Sequence, residues 1–198
     1  VRGLSLVLLG FAFMLQVGPA TPQGKRGGRP QPGSKSGHRQ GLLQARAAGE
    51  RPVIDGNGAA TLTGIDFINP GRGVLKIGQT YGTIGVVPEY VTIEGLEIRN
   101  GKEGYGFKNS DGGSGSYATN AAAIYVEAGS HITIRNCVIR GSSNGLFISG
   151  GGTLPNEDFL IEANSFIGNG NSGDAQVHHS YTTSIGIIYQ YNYFGALA

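Results

Sequence analysis

The sequence holds one cysteine, Cys137, so no disulfide can close within the chain. One cysteine and four histidines also leave no His/Cys cluster with zinc-ligand spacing. No glycine-rich phosphate loop precedes a helix, and almost no helix is expected anywhere, which removes the nucleotide sites built on that junction. Tryptophan is absent, and charged residues make up only 14% of the chain. Those charges are unevenly divided. Residues 1–51 hold eight Lys/Arg and one acid, a net +7, whereas residues 52–198 hold seven Lys/Arg and twelve acids, a net −5. The overall +2 describes neither part. The basic charge lies outside the region expected to fold, so no nucleic-acid partner is expected. The long apolar run, Leu4–Val17, is too short for a stable membrane span.

Arg2 precedes that run and Gly18-Pro19-Ala20 follows it, which gives residues 1–20 the parts of a signal peptide. The protein is therefore expected to be secreted, periplasmic or on the cell surface. Residues 21–50 are rich in Gly, Pro, Arg and Gln, with no period. They read either as a disordered basic linker or as a misread frame.

Glycine is abundant, 36 of 198 residues, and it punctuates a repeat. Ile132-Thr-Ile-Arg-Asn-Cys-Val-Ile139 reads as two short strands joined by a tight turn. The same eight-residue unit occurs at Val91–Ile98, Phe159–Phe166 and Ile187–Phe194, with starts 41, 27 and 28 residues apart. Stacked at ~4.8 Å, the units make four inward columns. The first is Val91, Ile132, Phe159, Ile187, and the third is Ile93, Ile134, Ile161, Tyr189. The sixth is Leu96, Cys137, Asn164, Asn192, and the eighth is Ile98, Ile139, Phe166, Phe194. Cys137 should be buried, and the two asparagines should bond to each other and to backbone at the bend. Such a pattern specifies an all-β solenoid over residues 51–198. After Ala198 the sequence shows neither a polar cap nor a closing coil, so the solenoid is expected to be an incomplete fragment.

Val53-Ile-Asp-Gly-Asn-Gly58 and Val91-Thr-Ile-Glu-Gly-Leu-Glu-Ile-Arg-Asn-Gly101 resemble phrases of the right-handed parallel β-helix in the pectin-lyase-like superfamily. Ser180–Gly195 resembles secreted bacterial β-helix proteins described as polysaccharide-degrading. The resemblance implies the fold more firmly than the reaction, because this fold hosts lyases, hydrolases, epimerases and adhesins.

It also implies that the strand after the third turn floors a substrate groove. That strand is expected at Val74–Ile77, Ile124–Val126, Leu146–Ile148 and Ala175–His179. Its outward column would run Lys76, Tyr125, Phe147 and then Gln176 or His178. Rungs ~4.8 Å apart suit a glycan, with cation and aromatic faces in a row. The surplus in the 41-residue spacing lies in Gly101–Asn120, which carries Lys102, Tyr105 and Lys108. Those aromatics either stack on sugars or cover the coil beneath them. Together with the loops at Gly150–Asp158 and Ser180–Thr183, this segment would wall the groove.

β-Elimination on a uronate needs a base and a means of neutralising the carboxylate. Lys76, His178, His179 and Tyr181 are the expected catalytic candidates. Adjacent strand residues point to opposite faces, so at most one of the two histidines lies in the groove. Calcium is the cofactor such chemistry would take, with Glu157, Asp158 and Asp174 as eligible acids. Glycoside hydrolysis is the other reaction considered, but it needs paired carboxylates, which are sparse on this floor. A non-catalytic glycan-binding or adhesin-like β-helix is the alternative of a different class.

Overall fold

A computed structural model describes residues 51–58, 70–79, 85, 87–109, 112–149, 154–171 and 173–198. From Pro52 on these belong to one compact unit. The signal-like segment 1–20 and the segment 21–50 lie outside the described residues. The strands in chain order begin with β1 (Val53–Asp55), β2 (Gly73–Ile77), β3 (Thr92–Glu94), β4 (Glu97–Arg99), β5 (Gly106–Lys108) and β6 (Ser114–Ser116). They continue with β7 (Ala122–Val126), β8 (Gly129–Arg135), β9 (Val138–Arg140), β10 (Asn144–Ile148) and β11 (Asn156–Glu162). The last are β12 (Ser165–Ile167), β13 (Ser180–Thr182), β14 (Ile188–Gln190) and β15 (Tyr193–Phe194). Pro70–Arg72 forms a single 3-10 turn.

Each pass of the chain gives one strand to each of three parallel sheets, ordered β1-β4-β9-β12-β15, β2-β7-β10-β13 and β3-β8-β11-β14. The inward columns are in register. Ile93 pairs with Ile134 and Ile134 with Ile161, while Ile98 pairs with Ile139 and Ile139 with Phe166. These side chains, with Ile132, Phe159, Leu146 and Ile148, form the buried core. At the edge, Tyr189 and Phe194 occupy the same columns but are exposed. Only a neighbouring strand covers a residue in such a column.

Cys137 is buried, as its column required. The expected asparagine ladder forms beside it. Asn164 accepts the Cys137 N–H through Oδ1 at 2.9 Å and donates from Nδ2 to the Ile134 carbonyl at 2.8 Å. Asn192 accepts from both the Asn164 N–H (2.9 Å) and its Nδ2 (3.1 Å). A second polar ladder, absent from the sequence reading, lies five residues on. There Gly101 N donates to Ser142 Oγ, and Ser142 N donates to Asn169 Oδ1.

The corners share one backbone feature. Residues in the left-handed region recur five apart at Tyr90, Gly95 and Asn100 in one pass. They recur at His131, Asn136 and Gly141 in the next, and at Asp158, Ala163 and Gly168 in the one after. Gly186 and Tyr191 begin the same series again. A left-handed residue interrupts the extended path and redirects the chain into the next sheet. Glycine takes it freely and asparagine tolerates it, but alanine gains nothing there. Ala163 (φ 52°) is exposed, so its methyl buries little. Ala163→Gly should therefore raise stability by about 0.5–1 kcal/mol, read as a higher denaturation midpoint.

The strand expected at Ala175–His179 is displaced to Ser180–Thr182. Local bonds explain the shift: Asp174 Oδ1 accepts the Gln176 N–H and Asn144 Oδ1 accepts the His178 N–H. Regular pairing starts only where the carbonyls of His178 and His179 accept from Gly145 and Leu146. The Ser180–Thr183 loop expected as a wall is thus largely strand. Of the segment 150–158 expected as a loop, Asn156–Asp158 belong to β11, and 150–153 lie outside the described residues. Gly101–Asn120 is not a bare loop either. β5 and β6 pair antiparallel, and Phe107, Tyr117 and Ala121 bury a small cluster with Val74 and Tyr105 against it. Gly115 lies directly under the Phe107 ring, where a Cβ would collide with it.

Candidate functional site

Alternation along the second sheet sends Leu75, Ile124 and Leu146 into the core and Lys76, Tyr125 and Phe147 to the other face. The fourth rung of that outward column is Tyr181, which pairs with Phe147. Neither Gln176 nor His178 takes this place, because the strand starts later than the sequence suggested.

The rings form a continuous row. Tyr125 and Phe147 lie 5.3 Å apart and tilted, and Phe147 meets Tyr181 edge-on at 5.2 Å. His178 stacks on Tyr181 at 5.9 Å with only 7° between the planes. Arg72, immediately before β2, holds its guanidinium 5.1 Å from the Tyr125 ring centre and 5.3 Å from that of Phe147. The row is closed at one end and open at the other. Tyr125 is only 3% exposed and Phe147 half-buried, while Tyr181 is 47% exposed.

Lys76 lies at the closed end. Its Nζ is 3.2 Å from Glu127 Oε1, and the two side chains are 2% and 0% exposed. Burial pushes the Lys76 ammonium below its ordinary value of 10.5; the Glu127 carboxylate opposes this, and the nearby Arg72 charge adds to it. Tyr125 Oη also approaches Glu127 Oε1, at 3.5 Å.

The other candidates are dispersed. His178 is half-buried, with Nε2 3.0 Å from the Ala175 carbonyl. An imidazole nitrogen facing a carbonyl must carry the proton, so in the neutral ring Nδ1 is the basic atom. His179 points the other way. Its Nδ1 meets Asn169 Nδ2 at 3.2 Å and its Nε2 the Gly195 carbonyl at 3.0 Å, with Phe166 and Phe194 around the ring. It is a structural tie. Gln176 is exposed in the turn before the strand. Lys102 lies over the Tyr105 ring at 5.1 Å, and Lys108 donates to Ser114 Oγ at 2.9 Å across the hairpin. Tyr105 is half-buried against the Phe107–Tyr117 cluster. Tyr117 itself donates to the Gly56 carbonyl, and burial, followed by the Asp55 charge, raises its phenol far above the ordinary range. These aromatics cover the pass beneath them.

Among the described residues no three His, Cys, Asp or Glu side chains stand close enough to hold a metal ion. Asp158 faces His131 Nδ1 at 3.3 Å, and Asp174 caps Gln176. Glu157, Asp158 and Asp174 do not come together as such a group. No helix among the described residues is long and apolar enough to cross a membrane.

Arg72 and Glu127 were missed in the sequence. Glu127 was within reach, since alternation from Tyr125 places it two residues along the same face. Arg72 carries no such signal, because it precedes its strand. A third missed feature is an exposed corner ladder, with Tyr90 stacked on His131 at 4.6 Å and His131 against Asp158. No family model matches the chain, and neither the curated proteins nor the solved structures contain a match to it.

Proposed function

We propose that the protein is an exported right-handed parallel β-helix of the pectin-lyase-like kind that binds an acidic polysaccharide at the open end of the aromatic row, over Phe147 and Tyr181, and cleaves it by β-elimination. The observation that carries the reading is the row itself: aromatic rungs on consecutive parallel strands, 5.2 and 5.3 Å apart, opening toward solvent at Tyr181. That spacing matches the repeat of a sugar chain laid across the strands, and ring faces bind sugars through apolar contact. In the elimination, the proton next to the uronate carboxyl passes to a base while the C4 oxygen leaves. Tyr181 is the base candidate on the row: its phenol first gives up its own proton to solvent, the phenolate then takes the substrate's proton, and water protonates the departing C4 oxygen.

A second reading is favoured by one observation. Lys76, the cation expected to act on the substrate, is sealed against Glu127. A non-catalytic glycan-binding β-helix would need no free lysine.

Incubating the protein with polygalacturonate and with alginate, while following ultraviolet absorbance, separates the two. Unsaturated ends appearing with time support the lyase, and Tyr181→Ala should then lower the rate about 100-fold. Tyr181 is exposed, so the variant should keep its fold to within about 0.5 kcal/mol. Retention of the protein on immobilised polymer without any gain in absorbance supports the binding module. Neither retention nor absorbance removes both.

A further inference from the structure

His179 is held by bonds that only one protonation state of its ring can make. Asn169 is fully buried, and two backbone groups fix its amide. Oδ1 accepts the Ser142 N–H at 3.2 Å, and Nδ2 donates to the Ile139 carbonyl at 2.8 Å. Turning the amide over would set oxygen against oxygen and N–H against N–H. The second Nδ2 hydrogen is therefore the one that meets His179 Nδ1, 3.2 Å away, and Nδ1 has to accept it. Nε2 faces the Gly195 carbonyl at 3.0 Å and has to carry the proton. Both contacts call for the neutral ring with its hydrogen on Nε2. The surroundings offer a cation nothing in exchange. The ring otherwise meets Phe166 of β12 and Phe194 of β15, and among the described residues no charged side chain touches it. The neighbouring His178 turns away onto Tyr181. Room to adjust is small, since a Cβ at Gly145 would collide with the His179 carbonyl and with Asn169 Nδ2.

We infer that the Asn169–His179–Gly195 chain of bonds is an acid-released latch on the last passes of the solenoid. With the neutral ring it ties residue 169, between β12 and β13, to Gly195 beyond β15, and so steadies β13 against β10. A proton on Nδ1 removes the acceptor and turns an N–H toward the Asn169 amino group. The tie is thus present at neutral pH and lost as the pH falls through the range in which imidazoles titrate, about 5 to 8. β13 carries Tyr181, so what acid sets loose is the exposed rung of the aromatic row. The latch stands whether or not that row binds a glycan. His131 differs, because its Nδ1 faces the Asp158 carboxylate at 3.3 Å, a contact that a protonated ring keeps.

Amide hydrogen exchange of the whole chain at about pH 7.5 and about pH 5, corrected for the intrinsic effect of pH on exchange, reads the latch. The Leu146 N–H, which donates to the His179 carbonyl, and the Gly168 N–H, which donates to the Ala196 carbonyl, should lose protection about tenfold or more in acid. The Val138 N–H, bonded to the Leu96 carbonyl, should keep its protection. His179→Gln can accept and donate but takes no proton, so it should abolish the acid effect, whereas His131→Gln and His178→Gln should leave it in place. The ring nitrogen chemical shifts of His179 give a reading that needs no variant: Nδ1 bare and Nε2 protonated at neutral pH. A proton on Nδ1 there, equal wild-type protection at the two pH values, an equal loss at Val138, or an acid loss that persists in His179→Gln each overturns the inference.

Discussion

Lys76→Met should lower the free energy of unfolding by about 3–5 kcal/mol, the effect of stranding a buried charge. Exposed lysines replaced the same way change stability by about 0.5 kcal/mol or less. The difference lies in where the partner sits. The Glu127 side chain is fully buried, so removing Lys76 takes away the ammonium 3.2 Å from its carboxylate at a place where water does not replace it. The carboxylate must then protonate or drag water into the sheet face. The double variant Lys76→Met, Glu127→Leu should recover at least half of the loss, because an apolar pair of similar volume does not need that compensation. Urea denaturation of wild type, both single variants and the double variant closes the cycle. A single-variant loss below about 1 kcal/mol would show that the pair is more hydrated than the geometry implies. The same experiment speaks to function: Lys76→Met should hurt stability and leave the affinity for glycan in the folded fraction unchanged.

Asn164→Ala carries the second large effect, about 2–3 kcal/mol, from leaving the buried Cys137 N–H unmet and removing the added bond to the Ile134 carbonyl. Asn164 is buried in the sixth column, where its Oδ1 serves Cys137 N–H and its Nδ2 the Ile134 carbonyl. Leucine at this position would restore volume but satisfy neither group, so Asn164→Leu should be nearly as damaging. Asn192→Ala should cost less. Asn192 makes the equivalent bond to Ile161 O at 2.7 Å, but it is partly exposed and water can replace it. Hydrogen exchange gives a local reading beside the denaturation midpoint: the Cys137 amide should lose protection in Asn164→Ala and keep it in Asn192→Ala. Equal midpoints for the two variants would sink the ladder as a source of stability.

The columns were legible in the sequence because stacking demands the same thing of every pass. Ile93, Ile134 and Ile161 occupy one place, and an isoleucine there can be recognised from its counterparts. The asparagine ladder was legible for the same reason. The corners were not, since Gly95, Asn136, Ala163 and Tyr191 share a backbone conformation but no side-chain chemistry. The last rung of the aromatic row was misplaced because the segment between Phe166 and Ser180 has no period. Its course is set by single bonds such as Asp174 to Gln176 and Asn144 to His178. Lys76 was read from alternation alone. Alternation tells which face a residue takes, and not whether anything covers that face.

The β5–β6 hairpin leaves the chain between β4 and β7, yet the passes on either side stay aligned, with Ile98 opposite Ile139 and Leu75 opposite Ile124. Its hold on the body is narrow: the Tyr117 hydroxyl on Gly56, the Phe107–Tyr117 cluster over Val74, and backbone bonds from Gly58 to Gly106 and from Ala118 to Gly71. This makes the segment a natural cassette. Natural variation or deliberate grafting can exchange Lys108–Ser114 for a longer or differently charged loop, provided Phe107, Gly115, Tyr117 and Ala121 remain to seat it. Ladders that are set by pairing between passes would not register the change. A family of such chains would then diversify by swapping what overhangs the sheet, with each new variant inheriting a body that already folds.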